Sequence, residues 1–187
     1  MTTTHRHSFL HLLPALAAAA LLLPLLGACN TSGCTDNHSA LPLMAFYNCN
    51  NGERIMLDSI DLGGVGAPAD SLLVISGQRC DRVYLPFRQD AAVTSFFIHY
   101  DYKEQGLDDP AFNDTLTFTY TAEPYFASSE CGAMYQYRIV SASTTHNLIE
   151  SIAITDSLIT NVERERIQIF FRVGTPDEET PGEGNGQ

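Results

Sequence analysis

A chain of 187 residues is long enough for one domain of ordinary size and short for two. Ten basic residues against 22 acidic ones give a net charge of −12, which argues against a nucleic-acid partner, and the single lysine, Lys103, leaves no polybasic patch for an anionic membrane surface. A hydrophobic content of 44% excludes disorder of the whole chain.

The first 28 residues have the organisation of a secretory signal peptide. A short polar segment with one firm positive charge, Arg6, precedes an apolar run over residues 9–26. The run ends in Leu26-Gly27-Ala28-Cys29, which resembles the lipobox of bacterial lipoproteins, in which the cysteine is acylated and becomes the first residue. This resemblance implies cleavage just before Cys29 and lipid attachment to it. A plain signal peptide or a single transmembrane anchor is the alternative, the anchor because the run is about long enough to span a bilayer.

A lipid at Cys29 predicts a protein of the cell envelope that is anchored to the outer membrane. The residues directly after it, Asn30 to Gly33, are uncharged. Surface-exported lipoproteins of the bacteroidete type tend to carry acidic residues there, so the composition favours a periplasm-facing protein. The expected partners are the membrane, through the lipid, and an envelope protein or a glycan.

From Arg54 onward the sequence has the two-residue period of β-strands. The clearest case is residues 115–121, where Leu116, Phe118 and Tyr120 alternate with threonines. No stretch after residue 29 shows a sustained helical period. We therefore predict an all-β fold, an antiparallel two-sheet sandwich of about seven to nine strands. The same alternation recurs over residues 83–88, 94–102, 135–139, 152–154 and 166–173.

The two ends of the chain after the signal peptide differ from its middle. Residues 29–41 are predicted to form a lipidated tether, and residues 42–173 contain the strands of the predicted sandwich. Residues 174–187 are acidic and hold no apolar side chain that could drive packing, so they predict a disordered C-terminal tail.

Five cysteines occur, at positions 29, 34, 49, 80 and 131. If Cys29 carries lipid, an even number remains in an oxidising compartment, where disulfides persist. Four cysteines allow three pairings, and spacing alone does not choose among them. We favour Cys34–Cys131 together with Cys49–Cys80. The alternative is that one or more of the four is a buried free thiol.

Several short strings resemble an uncharacterised family of lipoproteins from bacteroidete-type Gram-negative bacteria, which is classed only as a domain of unknown function. The strings spread over most of the chain after Cys29, and the resemblance implies no activity. It supports pairing Cys34 with Cys131, because both lie inside matching strings, whereas Cys49 and Cys80 lie outside them. The matching strings are Cys34–Asn37, Ala40–Leu43, Gly66–Leu73, Tyr84–Pro86, Glu130–Tyr135 and Asp156–Asn161.

No residue pattern indicates catalysis. The Gly-x-Ser-x-Gly motif of serine hydrolases is absent from the sequence. The histidines after residue 29 are His38, His99 and His146, and they are widely separated, so solvated surface histidines are the simpler interpretation than a catalytic or zinc cluster. We expect no enzymatic activity and no cofactor.

An acidic connection between two predicted strands is a candidate calcium site. Asp101, Asp108, Asp109 and Asp114 supply the hard oxygen ligands that calcium prefers. The register of an EF-hand is missing, however, and an acidic loop in water is the alternative interpretation.

A second recurring pattern is Asp followed by Ser or Thr and then an aliphatic residue. It places hydroxyl groups at Ser59, Ser71, Thr115 and Ser157. The pattern resembles the O-glycosylation acceptor motif of bacteroidete periplasmic and surface proteins. A turn aspartate, a small hydroxyl residue and an apolar residue are also how a strand begins, so both interpretations stay open.

An aromatic group near the middle of the chain could line a carbohydrate groove, since tyrosine rings stack on sugars and supply hydroxyls. In a chain without tryptophan the same residues are natural core fillers. The preferred function is a non-enzymatic cell-envelope lipoprotein with a structural or protein-interaction role, and the alternative is a glycan- or calcium-binding module. The aromatic residues are Tyr120, Tyr125, Phe126, Tyr135 and Tyr137.

Overall fold

The computed structural model describes Cys34, residues 39–68 and residues 71–172. The predicted signal peptide (1–28), Cys29 as the predicted lipidation site, the predicted tail (174–187) and most of the predicted tether (29–41) lie outside the described residues. The described chain is built of strands, with two short 3₁₀ turns and no α-helix in these ranges, so the predicted all-β class is confirmed. The strands are β1 (Leu43–Asn48), β2 (Ile60–Gly64), β3 (Leu72–Val74), β4 (Arg82–Tyr84), β5 (Val93–Tyr100), β6 (Asp114–Ser128), β7 (Gly132–Thr144), β8 (Ile149–Ile154), β9 (Leu158–Ile159) and β10 (Glu165–Phe171).

The strands form two sheets, in the order β4-β1-β10-β8 and β3-β2-β5-β6-β7-β9. Neighbouring strands are antiparallel except β1 and β10, which pair in parallel. The expectation of a wholly antiparallel sandwich is therefore wrong at this pair. A parallel pair needs a long crossover, and here all six strands of the second sheet lie between β1 and β10 in the chain.

The strand count also exceeds the predicted seven to nine. Ten strands are present in the described residues, and three of them, β3, β4 and β9, have only two or three residues. Strands of two or three residues are too short for alternation to define their limits. All three lie at sheet edges, where short strands limit pairing with other chains.

The hydrophobic core lies between the two sheets and follows the alternation of the strands. Leu116, Phe118 and Tyr120 of β6 point inward and are at most 1% exposed, as their spacing predicts. Burial of these side chains from water is the main force that holds the sheets together. The four-stranded sheet presents Met44, Phe46, Ile167, Ile169 and Phe171 to the same core.

One aromatic side chain, Phe87, is at the centre of a cluster of rings in this core. It comes from the irregular segment after β4 and is only 5% exposed. Its ring centroid lies 4.4 Å from that of Tyr120 in a stacked arrangement, and 5.4 Å from that of Phe118. Tyr137 meets it edge-on at 5.8 Å. The segment after β4 is therefore fixed to the second sheet by ring packing.

The structure confirms one of the two predicted disulfides. Cys34 and Cys131 are bonded to each other. Cys49 and Cys80 are free thiols, so the predicted second bridge is wrong and the alternative of a free thiol holds for both. Burial raises the pKa of the half-buried Cys80 thiol, and the neighbouring Asp81 charge adds to this effect.

Strand register explains why Cys49 and Cys80 do not meet. In the segment after β1, Arg54 pairs with Tyr47, and Leu57 pairs with Cys80. These two pairings are three residues apart, or about 10 Å of extended chain. Cys49 lies beyond Tyr47 on the side away from Leu57. A disulfide needs Cα atoms within about 7 Å, so this register excludes the bond.

Candidate binding cleft

A cleft of about 490 Å³ opens at one end of the sandwich. At this end β1, β5 and β10 finish and β2, β6 and β8 begin. One lip is the segment 49–57 after β1, and the other is the connection 101–113 between β5 and β6. The volume falls within the range of roughly 300–1,000 Å³ that is typical of ligand sites.

The floor of the cleft joins both sheets. Tyr100, the last residue of β5, and Phe171, the last residue of β10, meet edge-to-face with ring centroids 6.3 Å apart. Both rings belong to the buried core. The walls are aliphatic: Ile55, Leu57, Leu107 and Leu148 line them, with Met56 at the mouth, where half of its side chain is exposed.

Beneath this floor lies a buried carboxylate, Asp114, the first residue of β6, which is 1% exposed. Its Oδ2 accepts hydrogen bonds from the Tyr100 hydroxyl at 3.0 Å and from the backbone N–H groups of Leu148 at 2.8 Å and Ile149 at 3.0 Å. Its Oδ1 accepts from the Thr145 hydroxyl at 2.7 Å and from the backbone N–H of Asn147 at 2.8 Å.

Three of these five donors are backbone N–H groups, which can only donate. The site is therefore built for a carboxylate that acts purely as acceptor. It fixes the Tyr100 ring and the turn that carries Leu148, and both of these line the cleft. Burial raises the pKa of Tyr100, and the Asp114 charge raises it further.

Polar groups gather at the rim, where they are already tied to the protein. The Arg172 guanidinium forms an ion pair with Glu150 and donates to the backbone carbonyls of His146, at 2.9 Å, and Asn147, at 3.1 Å. On the opposite lip Asn51 donates to the Glu53 carboxylate at 3.0 Å. The rim is therefore stiffened by its own hydrogen bonds before any ligand arrives.

A family model described as a family of unknown function, DUF6452, matches residues 59–171, more than half of the chain. The chain belongs to the DUF6452 family. The sequence resemblance to a domain of unknown function is thus confirmed. No curated protein and no solved structure matches the chain.

The matched range begins one residue before β2 and ends with β10. It therefore includes the floor and the buried carboxylate of the cleft, whereas the lip at residues 49–57 precedes it. Within the residues that the structure describes, no helix is long and apolar enough to cross a membrane.

The four aspartates predicted as a calcium site in this DUF6452 chain do not come together. Asp101 pairs with Lys103 at 3.0 Å, and Asp109 accepts the backbone N–H of Ala111 at 2.8 Å. Asp114 is turned into the core, while Asp108 stays exposed. Across the described ranges no three His, Cys, Asp or Glu side chains are grouped to hold a metal ion. The structure therefore does not group these four aspartates as a calcium site.

The aromatic residues predicted to line one carbohydrate groove are divided between core and surface. Tyr120 and Tyr137 are core residues at 1% and 4% exposure, and the Tyr120 hydroxyl is bound by Arg88 and Thr94. Phe126 is 70% exposed, away from them. Only Tyr135 and the edge of Tyr137 line a second cavity of about 490 Å³. The interpretation of these aromatic residues as core fillers is therefore confirmed for Tyr120 and Tyr137.

The four predicted O-glycosylation positions lie at the starts of strands. Ile60, Leu72 and Leu158, which follow Ser59, Ser71 and Ser157, are the first residues of β2, β3 and β9. The interpretation as strand starts is therefore confirmed at these three. Ser71 is exposed, and the other three positions are half-buried. Sugar attachment at Ser59, Ser71, Thr115 or Ser157 stays a prediction.

Within the described residues, His99 and His146 do not form a common site. His99 is exposed and its ring stacks on Phe97 with centroids 4.4 Å apart. The His146 Nδ1 lies 3.1 Å from the backbone carbonyl oxygen of Glu150 in the turn before β8. His38 lies outside the described residues.

A charge cluster lies on the outer face of the four-stranded sheet and includes Arg54, from the lip at residues 49–57. Arg54 forms ion pairs with Asp81 and Glu165, and its guanidinium lies 5.3 Å from the centroid of the Tyr47 ring. The Tyr47 hydroxyl donates to Glu165 at 2.6 Å, and the Gln168 side chain donates to it at 2.9 Å. Burial alone would raise the pKa of Glu165, but these hydrogen bonds and the Arg54 charge outweigh it, so the pKa lies below its usual value.

The depressed pKa of Glu165 predicts a loss of stability in acid. An unfolded glutamate titrates near pH 4.3. The stabilisation from Glu165 is present above that pH and is lost as the pH falls through the lower folded-state pKa. We expect the Glu165→Gln variant to be less stable than the wild type at pH 6 and the difference to shrink toward pH 2. Urea unfolding across this range measures it, and a difference that does not change with pH contradicts it.

The cleft was not predicted from the sequence. None of the residues that line it had been singled out, and Asp114 beneath its floor had been singled out for calcium rather than for structure. Tyr100 and Phe171 each end an alternating strand with a large ring, and this is the local signal that was available. Met56 and Leu107 carry no motif, because loops bring them to the cleft.

Proposed function

We propose that this protein is a non-enzymatic lipoprotein of the cell envelope whose DUF6452 sandwich is a binding module. It is anchored to the outer membrane through Cys29, faces the periplasm and interacts with an envelope partner. The observation that supports binding is the preformed apolar cleft at the end of the sandwich. Its lining is mainly hydrophobic with a few polar groups at the rim, which is the usual character of ligand sites.

The titratable groups of the cleft favour binding over catalysis. Burial raises the pKa values of Tyr100 and Tyr102, so both phenols stay protonated at neutral pH and are weak nucleophiles. Arg172 is occupied by Glu150 and by backbone carbonyls, and Glu53 accepts from Asn51. A nucleophile beside a general base is not found among the residues that line the cleft.

Site-specific photocrosslinking in the native host tests the binding role. A benzophenone amino acid at position 56, in the mouth of the cleft, should give a discrete adduct with an envelope component. The control is the same amino acid at position 65. Val65 is similarly exposed but lies at the other end of β2. Equal adducts from both positions, or none from position 56, contradict the proposal.

The anchor is tested separately by metabolic labelling with a clickable palmitate analogue. The wild-type chain should take up the label and the Cys29→Ser variant should not. A wild-type chain that stays unlabelled beside a labelled control lipoprotein removes the membrane partner and the outer-membrane location from the proposal.

A further inference from the structure

The interior of the cleft offers apolar surface and few free hydrogen-bonding groups. Its two tyrosine hydroxyls are directed away from the opening. The Tyr100 hydroxyl donates to Asp114, and the Tyr102 hydroxyl lies against the backbone of Asp58 and Ser59. A polar ligand placed inside would lose its hydrogen bonds to water without replacing them, which is costly. The occupant of the interior must therefore be apolar.

The shape of the apolar surface favours a flexible chain over a flat ring. The rings of Tyr100 and Phe171 cross at 87° and are 5% and 3% exposed, so neither presents an open face for stacking. The accessible walls are mainly aliphatic, with the half-buried Tyr102 ring among them and Met56 at the mouth. Methionine adapts its shape to its neighbour, which suits contact with methylene groups.

The size of the cleft limits the length of such a chain. A water molecule takes about 30 Å³ of liquid volume, and a methylene group is of similar size. The volume of about 490 Å³ therefore admits roughly sixteen heavy atoms on that scale. This corresponds to one chain of about ten carbons with a small head group, and is too little to enclose both chains of a phospholipid.

The rim sets the charge of the head group. Arg172 is already neutralised by Glu150, while Glu53 leaves a negative charge on the opposite lip, and the whole chain carries a net charge of −12. An anionic head group would be repelled. Asn51 and Gln105, which both line the cleft, carry carboxamides of the kind that binds hydroxyl groups.

We infer that the cleft binds a single aliphatic chain with an uncharged, hydroxyl-bearing head group, of the monoacylglycerol class. The inference rests on the proposed binding function and names the ligand class for the same site. The chain lies along Ile55, Leu107 and Leu148 with its end toward the Tyr100–Phe171 floor. The head group stays at the rim between the two lips.

Calorimetric titration with monodecanoylglycerol, below its critical micelle concentration, tests the ligand class. The chain from residue 29 onward is used with Cys29→Ser, so that neither an acyl group nor the apolar run over residues 9–26 competes, and is purified under oxidising conditions. We expect saturable binding of one ligand per chain. Met56→Glu should weaken it by about tenfold or more, because the apolar chain would then contact a charge. Since half of the Met56 side chain is already in water, this variant should keep its fold, which its thermal midpoint checks.

The matched control is Val65→Glu, an equivalent substitution at a similarly exposed position at the far end of β2. Its affinity should stay within about twofold of the parent. Decanoate should bind more weakly than monodecanoylglycerol. Absence of saturable binding, or equal weakening in both variants, overturns the inference, and tighter binding of decanoate overturns the uncharged head group.

Failure of this inference is distinguishable from failure of the proposed function. A crosslinked envelope component at position 56 without binding of monodecanoylglycerol rejects the ligand class and leaves the binding module standing. Absence of both results rejects both.

Discussion

Replacing Asp114 with alanine is expected to lower the free energy of unfolding by about 4 kcal/mol. The side chain is 1% exposed and accepts five hydrogen bonds. Alanine would leave the backbone N–H groups of the half-buried Leu148 and the buried Ile149 without their acceptor, whereas that of the exposed Asn147 can turn to water. Each unsatisfied group costs on the order of 1–3 kcal/mol, reduced where water can enter. Urea denaturation followed by circular dichroism measures the loss.

A matched control for Asp114 is Asp109, in the connection just before it. Its carboxylate also accepts a backbone N–H, that of Ala111, but it is exposed to water. Asp109→Ala should therefore change stability little. Asp114→Asn keeps the shape and should still lose most of the stabilisation, because its NH₂ group would face other donors. A loss in Asp114→Ala no larger than in Asp109→Ala would show that the carboxylate does not organise this end of the sandwich.

Replacing Phe87 with alanine is expected to have an effect of similar size, about 3–5 kcal/mol. The ring is 5% exposed and contacts the rings of Phe118, Tyr120 and Tyr137. Alanine would leave a cavity between the sheets and remove the aromatic pairs. It would also loosen the segment after β4, which packs on the core through this ring and through Leu85. Thermal and urea unfolding both measure the change.

Phe126 supplies the control of the same residue type. It lies near the end of β6 with 70% of its side chain exposed, so Phe126→Ala should change the free energy of unfolding by no more than about 0.5 kcal/mol. If the two alanine variants have equal stability, the ring cluster is not a main support of the core.

The alternation of apolar and polar residues predicted the strands that have one face toward the core and the other toward solvent. In β6 the inward Leu116 and Phe118 alternate with threonines, and the structure follows that pattern. In β1 four consecutive residues, Leu43 to Phe46, are buried, so the strand has no alternation to detect. Its parallel pairing with β10 is equally invisible locally, because more than a hundred residues separate the partners.

The cleft could not be predicted for the same reason. Leu57, Tyr100, Leu148 and Phe171 come from four distant segments, and only strand order and register bring them together. Asp114 was visible as an acidic residue before a strand. Its role depends on donors that lie 14 to 35 residues away, so neighbouring residues gave no sign of it. The local composition suggested that the Asp114 carboxylate faces solvent or binds calcium. In the fold, three backbone N–H groups donate hydrogen bonds to it.

Because β1 and β10 are parallel, the first and the last strand of the domain run toward the same end of the sandwich. The chain joins β1 at Leu43, at the end of the sandwich remote from the cleft, and leaves β10 at Phe171, beside it. Within the described residues, the chain therefore enters the sandwich at one end and leaves it at the other, beside the opening of the cleft.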